Sequence, residues 1–235
     1  MIPGKSVAIV QSNYIPWKGY FDLINAVDEF ILYDDMQFTR RDWRNRNQIK
    51  APNGLLWLTI PVESKGKYLQ RVNETMISDP DWKAAHWRSI VHSYRRAAGF
   101  MELRDDLEDL YLGADDLALS AINYRFISRI CAMLGIQTRL SWSSDYRLET
   151  ERNQRLVSLC HQVGASIYVT GPSAKAYLDE TVFRAEGLEV RYFDYQGYPE
   201  YEQLYPPFIH QVSVVDLLLS TGSAACRYLK SNQPQ

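Results

Sequence analysis

The sequence is poor in the residue types from which most metal and redox sites are built. Three cysteines (Cys131, Cys160 and Cys226) and four histidines are scattered over 235 residues. An odd, widely spaced cysteine set excludes a disulfide framework, and no cysteine or histidine group has zinc-ligand spacing, so no metal ligands are assigned. A magnesium ion held by Asp34 or Asp35 together with a bound phosphate stays open. The glycine-rich phosphate cradles of dinucleotide-binding and P-loop proteins are absent, as is H-E-x-x-H. No apolar run approaches the ~20 residues of a membrane span. Residues 1–11 carry one lysine and lack the ~7–15-residue apolar stretch of a signal peptide. The formal net charge of -2 offers no global field for nucleic acid. The expectation is a cytoplasmic protein without nucleic-acid or membrane partners.

What is present is apolar and aromatic. Hydrophobic residues make up 46% of the chain, enough for a sizeable core. Sixteen tyrosines and six tryptophans gather in polar segments such as residues 14–21, where amphipathic rings suit a small-molecule site as well as a core.

Short apolar runs at 6–11 and 29–33 predict buried strands. Between them Phe21, Ile24 and Val27 form one helical stripe over 19–27, so a right-handed βαβ unit is the natural reading. Residues 55–62 return to strand character, and 63–74 read as a mobile loop. A helical block follows over 81–135, stopped by Gly135. Strands at 138–143, 166–170 and 188–193 flank a helix over 151–163, capped by Thr150 and stopped by Gly164. This alternation predicts an α/β fold: a mostly parallel sheet flanked by helices, with a helical block in the middle of one domain over 1–235.

Parallel sheets bind ligands beyond the carboxyl ends of their strands. The first strand would deliver Gln11 and the turn from Asn13 to Lys18, the second Asp34, Asp35, Gln37 and Phe38, and a later one Gly171, Pro172, Ser173 and Lys175. The basic run Arg40, Arg41, Arg44, Arg46 and Lys50 is interleaved with Trp43, Asn45 and Asn47. Arginine forks suit phosphate and carboxylate. The same run also fits a solvated loop paired with Asp34, Asp35 or Asp42.

These residues resemble the WbqC-like protein family. The likeness rests on Gln11, Tyr14, Pro16, Trp17, Gly19, Tyr20 and Phe21, then Asp34, Asp35, Gln37 and Phe38, then Trp43, Arg46, Asn47 and Lys50. It continues through Trp57, Thr59, Pro61 and Val62 to Trp82, His86 and Tyr94. Farther on it takes in Ser143, Cys160, Tyr168, Gly171, Tyr177, Tyr201, Gln203 and Phe208. At Ser12 and Asn13 the chain departs from the family pattern of proline followed by a small polar residue. What the resemblance implies is a biosynthetic enzyme of surface-glycan or natural-product assembly, which forms an amide by acyl or aminoacyl transfer to an amine. A second likeness, of layout alone, is to pantothenate-synthetase-like adenylate-forming enzymes, but the paired first-turn histidines of that group are missing.

On this reading the acyl group arrives as a thioester on coenzyme A or on the phosphopantetheine of a carrier protein. Asp34 or Asp35 binds the amine and His86 takes its proton. Arg41, Arg44 and Arg46 hold phosphate or carboxylate, Tyr14, Trp17 and Tyr20 wall the pocket, and Gln11, Gln37, Asn45, Lys50, Tyr94 and Gly171 complete it. A backbone-bonded structural role fits His86 equally. Adjacent strand residues point to opposite faces, so one of the two aspartates is expected to reach the site. Cys160 and His161 lie about 100° apart on a helix and make a poor nucleophile pair, so Cys160 reads as core. The alternatives are a non-catalytic module binding a nucleotide sugar or a partner enzyme, and an ATP-dependent amide ligase. The oligomeric state is left open.

Overall fold

The computed structural model describes residues 4–233; residues 1–3, part of the segment read above as lacking a signal peptide, and 234–235 lie outside it. The chain opens with the expected unit: β1 (Ser6–Val10), α1 (Lys18–Asn25) and β2 (Glu29–Leu32), with β1 and β2 parallel and Val7 opposite Glu29. An antiparallel hairpin of β3 (Arg46–Ala51) and β4 (Gly54–Thr59) follows, in which Lys50 faces Leu55. The helical block consists of α2 (Trp82–Tyr94), α3 (Phe100–Leu112) and α4 (Leu119–Met133). The chain then alternates through β5 (Arg139–Trp142), α5 (Arg152–Gln162), β6 (Ile167–Thr170), α6 (Glu180–Ala185) and β7 (Glu189–Tyr192), and α7 (Val214–Thr221) is its last α-helix among the described residues, followed by short 3-10 turns.

Five strands form one parallel sheet in the order β5-β2-β1-β6-β7. From β1 the chain builds outward through β2 to β5, then returns to β1's other side for β6 and β7. The direction reverses between β1 and β6, and in a doubly wound sheet such a switch point opens a crevice at the carboxyl edge.

The three central strands, β2, β1 and β6, are buried on both faces, as their apolar runs require, while the edge strands β5 and β7 are partly exposed. Alternation along β1 and β2 sends Val7, Ile9 and Ile31 to one face, where they meet Leu156, Leu159, Cys160 and Phe183 from α5 and α6. Ala8, Phe30 and Leu32 point to the other face, into a cluster that also holds Leu107, Ile122, Phe126 and Leu218. The α2–α4 block and α7 thus share a core with the sheet, and each fully buried Leu, Ile or Phe contributes roughly 1.5–3 kcal/mol.

Several local expectations change. Thr150 does not cap α5; the carboxylate of Glu151 does, accepting from the Gln154 amide at 2.7 Å. Residues 63–74, read as a loose loop, are tied to 36–38, with Phe38 N–H donating to Gln70 O at 2.9 Å and Val72 N–H to Met36 O at 3.0 Å. Most of β4 is exposed despite its apolar sequence. Helix α7 had no counterpart in the sequence reading. Apolar on nearly every side, it lacks the polar stripe that marks an amphipathic helix. Its signal was the Ser213 cap, which accepts from Val215 N–H, with Gly222 after the last turn.

Candidate functional site

At the switch point lies a crevice of about 810 Å³. The carboxyl end of β1 contributes Ile9, Val10 and Gln11, and that of β6 contributes Thr170 and Gly171. The connection after β2 adds Tyr33, Met36 and Gln37, the first two turns of α5 add Arg152 and Arg155, and Arg44 arrives from the segment before β3. Tyr168, Tyr177 and Tyr195 are further walls, and among the described residues no Asp, Glu, His or Cys lines it. The crevice is therefore cationic and phenolic.

Its arginines are held mainly by neutral partners. The Arg44 guanidinium donates to Gln11 Oε1 at 2.6 Å and to Asn13 Oδ1. Its Nε is buried without a partner, and Asp42 stands off at 3.8 Å. Arg155 donates to the carbonyl oxygens of Glu149 and Thr150, and more weakly to Tyr33 Oη at 3.4 Å. The Arg152 guanidinium sits over the Tyr177 ring, 3.8 Å from its centroid. Among the described residues no carboxylate pairs with Arg152 or Arg155. Burial raises the Tyr33 phenol above its ordinary pKa, so the hydroxyl keeps its proton. An arginine only donates, so Arg155 leaves that proton free for a ligand.

Of the residues singled out in the sequence, Gln11, Gln37, Arg44, Gly171, Pro172 and Ser173 meet in this crevice, with Tyr168 and Tyr177 of the family pattern. Tyr20 lies beneath it, its hydroxyl donating to Gln11 O at 3.0 Å. Trp17 lines a neighbouring hollow of about 200 Å³ together with Asn13, Pro16, Trp43, Asn47 and Gln211.

The acidic pair does not join the arginines. Asp34 is 1% exposed and accepts from Ser12 N–H at 2.8 Å and from the Ser120 hydroxyl. Burial raises its pKa and these bonds oppose the rise. Asn123 donates to Ser12 Oγ and to Arg44 O, both at 2.9 Å, so Asp34 belongs to a brace behind the Arg44 clasp. Asp35 accepts from Ser143 Oγ at 2.6 Å and Asn73 Nδ2 at 3.1 Å. Both carboxylates are thus used up by donors behind the crevice wall.

His86 also lies elsewhere. It is 7% exposed, with Nε2 3.2 Å from Thr59 O and Nδ1 2.9 Å from Tyr14 Oη. A carbonyl can only accept, so Nε2 carries the proton and Nδ1 accepts from Tyr14. Burial drives the imidazole pKa down to about 4. Tyr14 is fully buried among Trp82, His86 and Phe126. Tyr94 donates to Asp216 at 2.8 Å and accepts from Lys50 N–H at 2.9 Å, while Lys50 Nζ reaches Pro207 O at 2.6 Å. These two residues belong to a buried polar cluster beside α7.

The basic run is split. Arg41 is exposed with a φ of 59°, Arg46 stacks on Trp57 at 4.0 Å, and the Asn45 amide donates to Ile60 O at 2.8 Å. Cys160 is fully buried and its thiol is pushed up to about 12, which is core behaviour. The sequence reading missed Tyr33, Arg152, Arg155 and Tyr195. The topological argument, extended to the β5–α5 connection that reaches the same sheet edge, would have found the two arginines.

Among the described residues no helix is long and apolar enough to cross a membrane. No solved structure matches the chain. The uncharacterized protein Rv1507c of Mycobacterium tuberculosis (strain ATCC 25618 / H37Rv) is 52% identical over 226 residues, covering 96% of this chain and 98% of that protein. The model of the WbqC-like protein family matches residues 11–228, a span that takes in β6, α5 and the whole Gln11–Arg44 clasp. The chain belongs to the WbqC-like protein family.

Proposed function

We propose that the protein is an amide-forming transferase that binds an acyl thioester in the switch-point crevice and passes the acyl group to an amine. The observation that carries this reading is the crevice's charge: three arginines line it and, among the described residues, no carboxylate does. Guanidinium forks match phosphate bidentately. Coenzyme A and carrier-bound phosphopantetheine each join phosphate to a thioester. A volume of about 810 Å³ lies toward the upper end of the ~300–1,000 Å³ of small-molecule sites, so it suits an elongated ligand better than a free ion.

In the transfer, the amine nitrogen attacks the thioester carbonyl. A C–N bond forms, the C–S bond breaks, and the proton lost by the amine leaves with sulfur as the free thiol. Tyr33 supplies a hydrogen bond to the carbonyl oxygen as negative charge gathers there, and Arg155 behind it strengthens that donor. His86 has no part in the step. Its low pKa and its two internal hydrogen bonds suit a core strut.

Purified protein is incubated with acyl-coenzyme A or acyl-carrier thioesters and a panel of amines, and products are read by intact mass. Amide plus free thiol is expected, with turnover reduced in Tyr33→Phe and Arg155→Gln. A thioester that binds in the crevice yet yields no amide with any amine overturns the reading.

A second reading has its own support. Among the described residues the crevice lining holds no carboxylate, imidazole or thiol, which suits a module that binds a nucleotide sugar without turning it over. That reading requires saturable nucleotide-sugar binding at Arg44, Arg152 and Arg155, with no product formed.

A further inference from the structure

The smaller hollow differs from the crevice in chemistry. It is lined by two indoles, a proline and three side-chain amides and, among the described residues, by no charged group. An uncharged lining disfavours phosphate and carboxylate, which need donors or countercharge once out of water. Flat aromatic walls with amides at their edges suit a ring having an apolar face and a polar rim. The volume of about 200 Å³ is below the ~300 Å³ of drug-sized sites, which favours one sugar-sized ring over a nucleotide.

The walls are braced before any ligand arrives. Trp43 packs on Trp57 at 5.6 Å, and Arg46 stacks on Trp57 in turn. Trp17 is backed by Tyr195 at 5.5 Å and Tyr198 at 5.6 Å. Preorganised walls cut the ordering cost of binding. The polar groups divide clearly. Asn47 is occupied, donating to Tyr14 O and Ile15 O and accepting from Gln48 N–H. The Asn13 oxygen is held by Arg44, a pure donor, which fixes the amide's orientation and leaves Nδ2 to donate to a ligand. Gln211 is exposed at the rim and able to both donate and accept.

Two contacts join the hollow to the crevice. Asn13 of the hollow is hydrogen-bonded to Arg44 of the crevice, and Trp17 of the hollow packs on Tyr195 of the crevice. We infer that the hollow is the acceptor subsite and takes an uncharged, hydroxyl-rich ring, a hexose whose neutral amine receives the acyl group. This deepens the transferase reading and rests on it for the acceptor role; the sugar site itself stands on the lining.

The test titrates methyl glucoside, glucosamine and N-acetylglucosamine into the full chain by calorimetry and saturation-transfer NMR, with inorganic pyrophosphate as the probe for the crevice. At least one sugar is expected to bind saturably, and to weaken about tenfold in Trp43→Ala and in Gln211→Ala while pyrophosphate binding holds. Gln211 is exposed, so its variant keeps the test valid should Trp43→Ala fold poorly. Arg152→Gln is expected to weaken pyrophosphate and leave the sugar in place. No saturable sugar binding, or sugar binding lost only in Arg152→Gln, overturns the subsite. Sugar binding without pyrophosphate binding counts against the crevice reading alone.

Discussion

Arg44 reaches from the segment before β3 to the loop after β1, where it holds the side-chain oxygens of Gln11, at 2.6 Å, and of Asn13. One planar group thus fixes two residues that face different cavities. Lysine carries the charge but has no fork and cannot grip both oxygens in that geometry. Arg44→Lys is expected to weaken pyrophosphate and sugar binding together, each by about 2 kcal/mol, the scale of a lost charged hydrogen bond. Calorimetry on both probes checks this; the loss of one alone would mean that the clasp does not couple the cavities.

The Asp34 carboxylate accepts from Ser12 N–H and from the Ser120 hydroxyl. In Asp34→Asn one acceptor becomes an NH2 group facing a donor. The expected cost is about 1–3 kcal/mol of stability, read as a lower urea midpoint. Ligand binding should fall with it, because Ser12 sits between Gln11 and Asn13. A variant of wild-type stability that has lost turnover alone would instead make Asp34 a chemical participant.

His86 gives a pH signature. Its folded pKa is about 4 against an ordinary 6.5, so between these values the unfolded chain binds more protons. Stability from this group is whole above pH 6.5 and is lost as pH falls through 4. The shift corresponds to roughly 3 kcal/mol. Urea denaturation from pH 7 to pH 4 should show the decline, and His86→Gln should flatten it. An equal slope in the variant would place the acid sensitivity elsewhere.

Gly19 is set against Trp17. A Cβ at Gly19 would lie 2.3 Å from the indole, within α1's first turn. Glycine to alanine in a helix ordinarily stabilises by about 1 kcal/mol. Here the clash reverses the sign: Gly19→Ala should lower the melting temperature and displace Trp17, with sugar binding weakened more than pyrophosphate binding. A rise in melting temperature with both affinities intact would contradict the assigned packing.

The parallel sheet was legible because its strands are short apolar runs separated by helices and turn residues; the carboxyl-edge rule then led to Gln11, Gln37, Gly171, Pro172 and Ser173, and the basic run to Arg44. The rule could not tell which polar side chains after a strand face inward. Asp34 and Asp35 turn to hydrogen-bond donors in α4 and beyond β5, partners far along the chain that local spacing does not reveal. Tyr14, His86 and Tyr94 look like site residues because they are polar aromatics in a distinctive pattern, yet a buried hydrogen-bonded ladder needs the same residue types. Arg152 and Arg155 were hidden for the opposite reason: on a helix that opens with Glu151 they resemble any solvated face. Gly19 belonged to the family pattern, but its purpose, clearance for an indole two residues away, is visible only in three dimensions.

The central claim is that the switch-point crevice holds the phosphates of an acyl donor. Coenzyme A titrated into wild type and into the Arg152→Gln/Arg155→Gln double variant, at low and at moderate salt, tests it most directly. The account predicts saturable binding to wild type that weakens with salt and falls about tenfold or more in the double variant, measured where both proteins are folded. Equal affinity in both proteins, or none in wild type, would contradict it.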